Sequence, residues 1–83
     1  MRYTVYVLYS DQYDKIYVGY TSDLESRLRS HNELSIKGWT IKFRPWNLVH
    51  YEMFESKTLA LNRERELKSY QGRLFIRKVI LKQ

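Results

Sequence analysis

A chain of 83 residues makes one domain and buries only about 60–65% of its unfolded surface, so its core must be economical. Having no cysteine excludes a disulfide framework and a thiolate metal site. No apolar run approaches the roughly 20 residues that span a bilayer, and "MRYTVYVLYSD" lacks the apolar region of a secretory signal. The expectation is a single cytoplasmic domain over residues 1–83, with no membrane involved. Its formal charge of +6 attracts polyanions, nucleic acid above all.

Residues 3–9 alternate β-forming side chains, with Tyr3, Val5, Val7 and Tyr9 on one face and Thr4, Tyr6 and Leu8 on the other. "SDQYD" supplies turn residues, and "KIYVGY" reads as a second strand closing a hairpin over residues 3–20. Its register puts Ile16, Val18 and Tyr20 on one face and Tyr17 with Gly19 on the other. Ser22 and Glu25 have capping-box spacing and predict a helix to about Asn32. Ile16, Val18, Leu24 and Leu28 are expected to tie hairpin to helix. "ELSIKGWTIKFR" reads as a loop ended by Pro45, and residues 46–55 as a third strand. Ser56 is placed to cap a second helix to about Ser69. "YQG" interrupts it, and a last helix covers about Arg73 to Leu81 with Phe75, Ile76, Val79 and Ile80 apolar. The class is α+β, a small three-stranded sheet with packed helices in the order ββαβαα.

At about 100° per residue, Arg27 and His31 fall beside the apolar stripe of Leu24 and Leu28. Glu64 falls beside Ala60 and Leu67 in the same way. An inward carboxylate is costly unless paired or metal-bound. Each residue alone reads as structural: Tyr6 and Tyr17 as sheet tyrosines, His31 as a satisfied core histidine, Arg27 and Glu64 as an ion pair. Together they are more polarity than the inner faces of so small a fold require. Gly19 beside Tyr17 adds room for a close approach.

"TVY" at 4–6 and "YVG" at 17–19, with Arg27 and His31 on the first helix and Glu64 in "ALNREREL", resemble the GIY-YIG nuclease superfamily. The likeness covers essentially the whole chain and is greatest to small standalone bacterial members, which also carry a "GWT…RPW" segment. Thr4, Val5 and Val18 depart from the letters of the name without touching the tyrosine hydroxyls. The resemblance implies a metal-dependent, structure-selective DNA endonuclease of repair or recombination. Glu64 would hold Mg2+ or Mn2+ and Arg27 would pair with the scissile phosphate. Tyr6 or Tyr17 would orient or deprotonate the water, with His31 relaying the proton; which tyrosine is the base is left open. The alternative is a non-catalytic nucleic-acid-binding module that keeps the fold. Arg29, Lys37, Lys42, Arg44, Lys57, Arg63 and Lys68 are candidates for a basic rim on DNA, and Trp39 for stacking on unpaired bases. Trp46 reads as core. Branched, nicked or flapped DNA suits so small a domain better than a long sequence, with a protein partner for targeting.

Overall fold

The structure is a computed structural model that describes residues 2–34 and 38–83, with the backbone alone at residue 34. The expected alternation forms β1 (Tyr3–Ser10) and β2 (Lys15–Thr21), paired antiparallel from Thr4↔Thr21 to Ser10↔Lys15. Asp14 closes the hairpin turn with φ of 53°, a conformation its short polar side chain tolerates. β3 (Asn47–Phe54) pairs antiparallel with the other side of β1, giving the order β2-β1-β3. Val7 faces His50 and Leu8 faces Leu48, so Val49 is the extra residue of a bulge.

Central β1 is buried on both faces, and two different cores result. Val5, Val7, Ile16 and Val18 pack with Ala60 and Leu67 from α2 (Lys57–Lys68) and with Ile76 from the turn that follows α3 (Tyr70–Phe75). Tyr6, Leu8 and Trp46 pack on the opposite face with Tyr17, Leu24, Leu28 and Phe43. The ββαβαα order holds, but the expected grouping of Ile16 and Val18 with Leu24 and Leu28 does not. Strand pleating sends Ile16 and Val18 to the α2–α3 side, so α1 (Leu24–Arg29) meets Tyr17 instead.

The helix ends explain the remaining differences. Asp23, not Ser22, caps α1 by accepting from Ser26 N at 3.2 Å. The Thr21 hydroxyl accepts from Asp23 N at 3.0 Å and donates to Asp23 O at 3.2 Å, closing the turn and carrying the cap past Ser22. Beyond Arg29 the helix widens into a π-helical turn, Ser30–Leu34. Within the expected loop, Trp39–Phe43 forms a 3₁₀ turn, followed by a cis Arg44–Pro45 bond. Ser56 caps α2 as expected, accepting from Leu59 N. Ser69 then serves two helices: its hydroxyl donates to Glu66 O at 2.6 Å and accepts from Gly72 N at 3.1 Å. "YQG" therefore opens α3 rather than interrupting a helix. A Cβ at Gly72 would strike the Leu67 backbone and the Glu66 carbonyl, so glycine lets α3 lie on the last turn of α2. Of the apolar residues expected inside the last helix, Ile76 is buried, while Phe75 lies over the Arg63 guanidinium and Val79 is exposed. Arg77 holds Asp14 at 2.9 Å, tying the last turn to the hairpin.

Candidate active site

Tyr6 and Gly19 face each other across the β1–β2 ladder. A Cβ at position 19 would lie 2.6 Å from the Tyr6 hydroxyl, 2.8 Å from its Cζ and 3.0 Å from Tyr17 Cε1. Real Cβ atoms do not tolerate such distances, so the missing side chain is the space into which the two phenols lean. The Tyr6 and Tyr17 ring centroids are 6.1 Å apart. On this face α1 and its widened turn bring His31 to within 4.7 Å of the Tyr17 ring centroid and place its Nε2 3.0 Å from the Tyr6 hydroxyl. The other ring nitrogen, Nδ1, lies 3.2 Å from Thr40 Oγ1.

An open cleft of about 430 Å³ is lined by Tyr6, Tyr17, Gly19 and Thr21 of the hairpin, Arg27 of α1, and Lys57 and Glu64 of α2. Four of the five expected catalytic side chains thus meet at one surface. The fifth, His31, is 7% exposed and stands behind Tyr6, outside the cleft lining. Its contacts toward the cleft run through Tyr6 and the Tyr17 ring. Arg27 is exposed at the cleft wall rather than facing the sheet with His31, because its long side chain carries the guanidinium past the helix edge.

Burial, with Tyr17 next, pushes the Tyr6 hydroxyl well above the ordinary phenol range, while Arg27 pulls the other way. Tyr6 therefore stays protonated near neutrality. Burial, followed by the positive charges of Arg27 and Arg44, lowers His31, which keeps the imidazole neutral at pH 7. Glu64, with a side chain 17% exposed, turns a carboxylate into the cleft, and Lys68 lies 3.6 Å from it. Among the described residues no group of three or more His, Cys, Asp or Glu side chains could hold an ion together. One carboxylate beside an open, water-accessible cleft fits a hard divalent cation that keeps most of its shell as water, as Mg2+ does.

The expected DNA-binding residues separate into two groups. Arg29 and Lys42 are exposed, with Arg29 only 4.0 Å from Glu25 on the helix surface, and Trp39 is 47% exposed. Arg44 instead donates to the carbonyls of His31 at 2.6 Å and Ser30 at 3.2 Å, clamping the end of α1. Arg63 forks onto Glu52 at 3.0 Å and also reaches Glu66 at 3.5 Å. Both guanidiniums are thus engaged with groups of the protein itself, unlike those of the exposed group. Lys37 lies outside the described residues. Trp46 is core, as read, and donates Nε1–H to Thr40 O at 2.8 Å.

Sequence reasoning missed Thr40 and Asn32. The Asn32 side chain accepts from Trp46 N at 2.7 Å and donates to Trp46 O at 3.1 Å, standing in for a strand neighbour. The "GWT…RPW" segment was the available signal: Thr40, Arg44 and Trp46 all converge on the end of α1 around His31.

The family model for the GIY-YIG catalytic domain matches residues 2–75, nearly the whole chain. The chain belongs to the GIY-YIG family, a nuclease family whose members are generally metal-dependent and act on nucleic acid. Within it the similarity is to small UPF0213 proteins. One from Haloquadratum walsbyi is 44% identical over 57 residues, covering 69% of this chain and 64% of that one, so the match spans under two thirds of the relative's length. One from Staphylococcus aureus is 42% identical over 55 residues, covering 66% of this chain and 67% of its own. The solution NMR structure of a UPF0213 protein from Bacillus halodurans superposes with a TM-score of 0.57 at 27% identity, over 95% of this chain and 85% of that one. Its similarity supports the three-stranded α+β fold.

Proposed function

We propose that this protein is a metal-dependent, structure-selective DNA endonuclease that hydrolyses a phosphodiester bond during repair or recombination in the cytoplasm. The observation that carries the reading is the convergence of Tyr6, Tyr17, Arg27 and Glu64 on one cleft, with Gly19 making room for the phenols. Glu64 would hold Mg2+ or Mn2+, and the ion when bound would supply charge stabilisation at the phosphate and the leaving oxygen.

The chain's own residues do the rest. Arg27, permanently charged and free to swing at the cleft wall, forks onto the phosphate oxygens. Lys57, on the opposite wall, adds a second positive charge. Tyr17, half-buried at the cleft, orients the attacking water. Tyr6 is held as a neutral phenol, braced from behind by His31, and shares that water. The rim residues Arg29, Lys42 and Trp39 meet the substrate outside the cleft; the exposed indole suits an unpaired base at a flap, nick or branch. A partner protein supplies targeting that so small a domain lacks.

The reading is tested with labelled single-stranded, duplex, nicked, flapped and four-way-branched DNA, with Mg2+, Mn2+ or chelator. Wild type is compared with Glu64→Ala and Tyr17→Phe. Metal-dependent cutting lost in both folded variants supports it. DNA retained at low salt without any cutting moves the assignment to a non-catalytic binding module.

A further inference from the structure

Behind the cleft runs a buried chain of three polar groups: Tyr6 hydroxyl, His31 imidazole and Thr40 hydroxyl, at 3.0 and 3.2 Å. Tyr6, His31 and Thr40 are all buried, and of the three Tyr6 also lines the cleft, where its hydroxyl can meet a bound molecule. A neutral imidazole has one N–H and one lone pair, so the chain has one of two polarities. In the first, Tyr6 donates to Nε2 and Nδ1–H donates to Thr40. In the second, Thr40 donates to Nδ1 and Nε2–H donates to Tyr6.

One chemical preference and one feature of the cleft select the first. The phenol is neutral in either polarity, and it is a stronger donor toward an imidazole nitrogen than an acceptor from it. The cleft beyond Tyr6 carries two cations, Arg27 and Lys57, against one carboxylate, Glu64, and the excess of positive charge favours a phenol oxygen that turns its lone pairs toward the cleft and its proton away. The Thr40 hydroxyl is held for this task. Its own carbonyl takes the Trp46 indole N–H, and Asn32 and Arg44 fasten the same segment to the end of α1.

We propose that Thr40 is a positioning residue that accepts a hydrogen bond from His31 Nδ1–H, fixes the imidazole as that tautomer, and so turns the Tyr6 proton away from the cleft. The consequence rests on the nuclease reading. A Tyr6 oxygen facing the cleft as an acceptor takes a hydrogen bond from the attacking water and leaves that water's lone pair aimed at phosphorus. With the polarity reversed, Tyr6 would donate to the water and occupy the lone pair that attacks.

The experiment is nitrogen-15 NMR of the imidazoles in the resting protein at pH 7.5 without nucleic acid, for wild type, Thr40→Val and Thr40→Ser. The chain has two histidines, and His50→Gln separates the signals of His50, which is bonded to Glu52. Wild type and Thr40→Ser are expected to show His31 as the Nδ1–H tautomer. Thr40→Val removes the acceptor and would strand a buried N–H, so His31 should shift to Nε2–H. Cleavage should follow, with kcat falling about ten-fold in Thr40→Val at a KM within about two-fold, and recovering in Thr40→Ser. An Nε2–H tautomer in wild type overturns the proposal, as does an Nδ1–H tautomer that survives in Thr40→Val. If Thr40→Val does not fold, the Thr40→Ser spectrum decides: loss of the Nδ1–H tautomer there overturns it. The spectra need no substrate. Wild type that never cleaves removes the nuclease reading, while the tautomer remains decided by the spectra alone.

Discussion

The two faces of one three-stranded sheet are packed by different rules. The α2–α3 face is filled by Val5, Val7, Ile16, Val18, Ala60, Leu67 and Ile76. The α1 face is built from Tyr6, His31, Thr40 and Trp46, whose polar atoms are joined by directed hydrogen bonds, with the Tyr17 ring packed among them. An aliphatic core is held by area removed from water and tolerates repacking. A hydrogen-bonded aromatic face fixes atoms in place and tolerates little. The division of labour is that one face holds the domain together and the other holds a geometry.

That contrast is broken most strongly from the aliphatic side. Leu67→Ala should cost about 2–5 kcal/mol of stability, read as a fall in the denaturant midpoint, with the kcat of the folded fraction unchanged. Arg27→Ala should do the opposite. Its side chain is exposed, so stability should stay within about 0.5 kcal/mol while cleavage falls about 100-fold or more. An unfolded Arg27→Ala variant would contradict the separation of roles.

Gly19→Ala sharpens the comparison, because it lies between the two tyrosines. Its methyl group enters the space of the Tyr6 hydroxyl and should cost about 1–3 kcal/mol of stability together with cleavage. Gly19→Ala combined with Tyr6→Phe should recover part of the stability and none of the cleavage, since the nearest atom struck, the hydroxyl at 2.6 Å, is removed while Cζ at 2.8 Å remains. The smallest effect is a pH slope. Folding lowers the pKa of His31, so the unfolded chain binds the proton first. Stability should be flat above about pH 6.5 and fall as pH drops below it, by at most about 1.4 kcal/mol per pH unit. His31→Gln should flatten the curve between pH 7 and 5.5; an unchanged slope would place its origin elsewhere. Glu52, lowered despite burial by Arg63 and His50, adds its own loss only as pH falls through the carboxylate range.

What was legible in the sequence followed from periodicity. The period of two gave the hairpin and put Tyr17 with Gly19, and the period of 3.6 turned Glu64 inward beside Ala60 and Leu67. What periodicity does not carry is where a long side chain ends. Arg27, Arg44 and Arg63 are alike in sequence, yet one reaches the cleft, one clamps carbonyls and one forks onto Glu52. Nor does it show which side of the sheet a helix chooses, and so Ile16 and Val18 were grouped with the wrong helix. Thr40 was hidden for a third reason: it meets His31 from nine positions along the sequence, a spacing that neither period relates.

The bulge at Val49 has a consequence for the life of the protein in a crowded solution. β3 is an edge strand, and Leu48, Tyr51 and Met53 are exposed along it. A straight apolar edge of eight residues is a ready template for a foreign strand, and templates of that length seed insoluble aggregates. The inserted residue shifts the pattern of outward-facing amides partway along, so an incoming strand in register with one segment is out of register with the next. A one-residue irregularity thus works as a solubility device, and deleting Val49 should lower the concentration at which the protein comes out of solution.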